Sequence, residues 1–66
     1  MEEKLRIKEL REEKGLTQKQ LANQIGVDQR TISSYEIGHT EPDIKTIRKL
    51  CKIFDVSADY LLGLTE

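Results

Sequence analysis

At 66 residues, with 36% hydrophobic and 35% charged side chains, the chain makes one domain at most and holds too much order-forming material for a disordered tail. A fold of this size buries only about 60% of its extended-chain surface, so the core must be efficient or helped by a partner. Eleven basic residues face twelve acidic ones, which excludes a nonspecific polybasic binder; if a polyanion is the partner, the basic groups must gather on one face or specific contacts must dominate.

No apolar run is long enough to span a membrane. The opening MEEKLRIK lacks the apolar core of a secretory signal, so a cytoplasmic protein is expected. The lone Cys51 excludes an internal disulfide, fits a reducing interior and reads as a packed thiol. With His39 the only histidine, no all-Cys/His metal site can be built and no cofactor is expected.

In chain order, the first helix is predicted over about 3–14, with Ile7, Leu10 and Lys14 on one face. Gly15 closes it in the left-handed conformation, and Leu16 follows as an apolar latch. Thr17 opens a second helix, 18–25, and Gln20 completes a T-x-x-Q capping box. Its inner stripe is Leu21, Ala22 and Ile25, and Gly26 ends it. Asp28 caps a third helix, 29–37, with Ile32 and Tyr35 inward. The short link leaves no slack for an antiparallel return, so the two helices must cross steeply. Ala22 permits that crossing, where a larger side chain would cost about 1–3 kcal/mol. Residues 38–42 are the longest loop. Asp43 caps a fourth helix, 44–54, whose Ile44, Ile47, Leu50, Cys51 and Phe54 recur at helical spacing. Ser57 opens a fifth, 58–62, stopped by Gly63. No residue run alternates as a strand would. The predicted fold is a compact all-α domain of five helices over 1–66, with a helix-turn-helix at its centre.

The run LTQKQLANQIGVDQRTISSYEIG, with Pro42, Leu50 and VSADYLL behind it, resembles the helix-turn-helix family of lambda-type phage repressors and Cro proteins. The resemblance covers about Ile7 to Leu62. It implies a five-helix bundle whose third helix enters the major groove of a palindromic operator, and a role in transcription regulation, as a repressor in the first instance. By position it implies base reading by Gln29, Arg30, Ser33 and Ser34. The residue chemistry agrees, since Gln can pair with both adenine N6 and N7, and Arg can fork onto guanine O6 and N7. Plain solvation of these side chains is the alternative. Ser33 can instead serve a phosphate or a local carbonyl, which favours Ser34 as the reader, and both readings stay open.

The same resemblance places Gln18 against a phosphate and beside the first reading side chain, with Thr17 a cap first and a DNA contact second. Helix N-termini favour phosphate in any case. Thr31, His39, Thr40 and Lys45 are further backbone candidates. The resemblance also pairs Arg11 with Glu36 as a partly buried ion pair, taken here as structural. Two departures weaken binding: Asp28 stands where Ser or Thr is usual, and the loop GHTEPDIK is poor in basic groups. A moderate affinity and a shallow salt dependence are therefore expected.

One helix-turn-helix reads too few base pairs to find a site alone, so a homodimer is expected, spacing its reading helices by about 34–36 Å. The resemblance places the contact at the fifth helix, through Tyr60, Leu61, Leu62 and Leu64, with Asp59 and Glu66 at its rim. Alternatively, Leu61 and Leu62 complete the core. The competing function is an antitoxin or protein-interaction module with a regulatory protein partner. No nucleophile–base or carboxylate–histidine set suggests an enzyme.

Overall fold

Four of the five helices begin at a side chain that accepts a hydrogen bond from an otherwise orphaned backbone N–H. The computed structural model describes residues 5–64. It contains α1 (Ile7–Glu13), α2 (Gln18–Ile25), α3 (Gln29–Glu36), α4 (Ile44–Phe54) and α5 (Ala58–Leu61). Thr17 accepts from Gln20 N, Asp28 from Arg30 N, Asp43 from Thr46 N and Ser57 from Tyr60 N. At Thr17 the capping box is complete, because the Gln20 side chain accepts from Thr17 N at 2.8 Å. Such caps are worth about 1 kcal/mol each. α1 starts at Arg6 without a side-chain cap. The predicted start of the first helix at residue 3 lies outside the described residues, and Leu5 and Arg6 precede the helix. α1, α3 and α5 each stop one residue short of the predicted end.

The core forms where the apolar stripes of all five helices meet. Ile7, Leu21, Ile32, Leu50 and Leu61, one from each helix, are wholly buried, and each contributes roughly 1.5–3 kcal/mol by leaving water. Leu16, Val27, Ile47, Cys51 and Val56 pack around them partly exposed. Burial pushes the Cys51 thiol above its ordinary pKa, which keeps it protonated and unreactive at neutral pH. Arg6 N donates to Leu61 O at 3.0 Å, and its guanidinium lies over the Tyr60 ring at 4.6 Å from the centroid. Both contacts tie the segment before α1 to α5.

Three positions depart from the sequence reading. Ile44 is 69% exposed, because the first turn of α4 precedes the stretch that packs on the core. Lys14 is exposed, and Arg11 takes the inward place on α1. Leu61 is entirely buried within its own chain, so its side chain completes the core and cannot line an interface between copies.

Candidate nucleic-acid interface

The α2–α3 corner is set by backbone conformation. Gly26 closes α2 at φ 77°, a left-handed geometry that L side chains adopt only with strain. Val27 N then bonds back to Ala22 O at 3.0 Å, and Asp28 caps α3 through Arg30 N at 2.8 Å. Ala22 is 1% exposed at the crossing, so a larger side chain there would have to displace its neighbours.

Behind the corner lies a chain of polar contacts joining three helices. Arg11 Nε donates to Glu36 Oε2 at 2.7 Å and Nη2 to Oε1 at 3.3 Å, a forked pair from α1 to the end of α3. The third guanidinium nitrogen, Nη1, donates to Leu16 O at 2.7 Å. The two side chains are only 10% and 4% exposed. The hydrogen bond to Glu36 raises the Arg11 pKa further above its ordinary value, against the cost of burial. Glu36 Oε1 also accepts from Gln18 Nε2 at 3.0 Å. Gln18 Oε1 in turn accepts from Gln29 Nε2 at 3.5 Å, a long contact. The polar path thus runs from a buried ion pair to the first exposed side chain of α3.

Of the sequence-derived reading residues, Gln29 and Arg30 are exposed at the start of α3, and Ser33 and Ser34 are half-buried one turn on. The Arg30 guanidinium has no partner among the described residues. Ser34 Oγ accepts from Thr40 Oγ1 at 3.0 Å, and Ser34 O accepts from His39 N at 2.9 Å, so the following loop is folded back onto α3. Thr31 is half-buried, while His39, Thr40 and Lys45 are exposed. At the start of α2, Thr17 Oγ1 occupies the Gln20 N–H and Thr17 O receives the Leu21 N–H. This leaves the Gln18 and Lys19 N–H groups uncapped, a small anion-attracting cradle.

At the far end, Tyr60 and Leu62 are half-buried and Leu64 is 67% exposed. Glu66 lies outside the described residues. Among the described residues no group of histidine, cysteine or carboxylate side chains could hold a metal. No helix among those residues is long and apolar enough to cross a membrane.

Sequence reasoning missed several features. The Gln18–Glu36 and Ser34–Thr40 bonds join residues 18 and 6 apart in the chain, and no local pattern announces them. Arg48, Lys49 and Lys52 are exposed beside Lys45 on α4. Their i, i+3, i+4, i+7 spacing was a signal available in the sequence.

The helix-turn-helix family model matches residues 7–61. The transcriptional regulator ImmR of Bacillus subtilis is 41% identical over 61 residues, covering 92% of this chain and 48% of that protein; the chain spans about half the length of such relatives. A transcriptional regulator from Listeria innocua superposes with a TM-score of 0.84 at 35% identity, over 91% of this chain and 56% of that one. The DNA-binding domain of the P22 C2 repressor superposes at 0.81 and 32% identity, over 100% of this chain and 96% of that domain. The polar corner, the five-helix order and these likenesses agree: the chain belongs to the helix-turn-helix family, in its lambda-repressor and Cro-like branch.

Proposed function

We propose that the chain binds specific duplex DNA as a transcriptional regulator, acting as a repressor on a palindromic operator and as a homodimer. The observation that carries this reading is the start of α3. There Gln29 is steadied by Gln18, and the exposed Arg30 guanidinium is unengaged. A helix locked by a nearly buried ion pair holds both. Side chains held in place before binding lose less entropy on binding. Gln29 suits adenine and Arg30 suits guanine, each good pair discriminating by about 1–3 kcal/mol. Ser34 is the third reader, with Ser33 serving a phosphate or a local carbonyl. Phosphates are met by the uncapped N–H groups at the start of α2 with Thr17 and Gln18, and by Thr31, His39, Thr40 and Lys45.

Pairing of two copies is supported by Leu64, which stands 67% exposed beyond α5, with Tyr60 and Leu62 beside it. An open hollow of about 490 Å³, lined by Leu10, Phe54, Val56 and Tyr60 together with Glu13, Lys14 and Ser57, shares Tyr60 with this end and leaves room for a side chain from a second copy. The repressor sign follows the named P22 relative.

Selection of bound duplexes from a random pool tests the reading. It should return a two-fold symmetric consensus; recovery of no consensus at low salt would sink it. Sedimentation of Leu64→Glu should show weaker self-association than the parent, and an unchanged mass distribution removes that interface from the proposal.

A further inference from the structure

A chain with more acidic than basic residues meets a polyanion at a disadvantage unless its cations are segregated, and α4 segregates them. Lys45, Arg48, Lys49 and Lys52 follow one another at helical-neighbour spacing, all exposed, and α4 carries no acidic residue. Outside α4 the chain has seven basic residues against twelve acidic ones. Among the described residues none of the four α4 cations makes an ion pair; both salt bridges there belong to Arg11. The two carboxylates next to the helix, Asp43 and Asp55, sit at its caps rather than along the stripe. The stripe is about 10 Å long, at 1.5 Å of rise per residue.

Its position links it to the reading corner. Lys49 Nζ donates to Ile25 O at 3.4 Å. That carbonyl ends α2, and its residue stands four positions before Gln29. The middle of the stripe therefore borders the turn that delivers α3.

We infer that the α4 stripe, through Arg48, Lys49 and Lys52, is a second contact surface for duplex DNA, gripping backbone phosphates beside the groove that α3 enters. This deepens the DNA-binding reading and rests on it. Charge complementarity selects a polyanion, and continuity with the α2–α3 corner selects the same duplex over an acidic protein surface. The stripe carries no sequence information; it supplies affinity and salt sensitivity. The shallow salt dependence expected from the poorly basic loop is thereby replaced by a steep one.

The test is titration of two labelled duplexes, one recovered by selection and one of arbitrary sequence, at salt concentrations from about 50 to about 200 mM. The variants are R48Q/K52Q, which leaves the Lys49–Ile25 contact intact, and R48Q/K49Q/K52Q. The thermal melt of the double variant should match the parent, since both exchanged side chains are exposed, while the triple variant also gives up the Lys49–Ile25 contact. Each lost phosphate contact flattens the log–log salt slope by about 0.9. The double variant should thus lose about 1.8 of slope, compressing the affinity change over that salt range about tenfold. The triple variant should lose more, on both duplexes. Parental slopes in both variants, with parental binding intact, overturn the stripe as a DNA contact while leaving DNA binding standing. A parent that binds neither duplex at low salt overturns the DNA reading itself, and the stripe with it.

Discussion

α3 and α4 are both short amphipathic helices with an aspartate cap, yet their polar faces are built on opposite plans. α3 carries Arg30 as its only cation, and its polar side chains are wired: Glu36 to Arg11 and Gln18, Gln29 to Gln18, Ser34 to Thr40. α4 carries four cations, and among the described residues only Lys49 makes a side-chain hydrogen bond to a neighbouring element. Wiring costs side-chain freedom in advance and yields defined hydrogen-bond directions, which base edges demand. Phosphates ask only for charge at the right distance, which long unrestrained side chains supply. On the function proposed above, the contrast separates reading from gripping along the chain.

The largest blow to the α3 plan should come from its anchor. Arg11→Ala or Glu36→Ala strands a nearly buried charge and should destabilise the fold by about 3 kcal/mol in urea melts. The double variant should cost less than the sum of the singles; additive losses would mean the two side chains are not coupled. Arg30→Ala should leave the melt untouched while relaxing preference at one base pair by about 1–3 kcal/mol, read by repeating the selection.

On α4 the informative changes are smaller. Asp55 ends the helix at φ 56°, the only left-handed non-glycine among the described residues. Asp55→Gly should therefore raise stability, by up to about 1 kcal/mol. The Asp43 carboxyl is held below the ordinary carboxylate range, first by hydrogen bonding with the Thr46 side chain and then by the Thr46 backbone N–H. Its folded-state pKa is depressed, so its contribution is complete above the unfolded carboxylate value and fades as pH falls through the lower folded one. Asp43→Asn should lower stability slightly at neutral pH, where that contribution is complete, and flatten the acid side of the profile so that variant and parent converge at low pH. An acid limb identical to the parent's would show that the cap is not what titrates there.

The sequence was most legible where physics is local. The caps at Thr17, Asp28, Asp43 and Ser57 depend on residues two or three apart, and reading them needs no knowledge of the fold. Apolar spacing gave a face for each helix but not what covers it. That is why Ile44, at helical spacing with Ile47, stands in solvent, and why Leu61 disappears into the core. Arg11 beside Glu36 was legible only through the family resemblance, because 25 residues separate them. The Gln18–Glu36 and Ser34–Thr40 bonds depend on how the elements dock and had no precursor in the pattern. The α4 stripe is present in the sequence, but the near-even overall charge balance conceals it.

The uneven wiring of α3 bears on how such a protein could be retargeted. Gln29 leans on Gln18, which leans on the ion pair, so exchanging it disturbs a shared support and its replacement must suit the same neighbour. Ser34 is bound to the loop through Thr40 and would have to be varied with it. Among the described residues the Arg30 side chain has no partner and can be swapped alone, which on the proposed function makes it the natural first position for a library aimed at new operators.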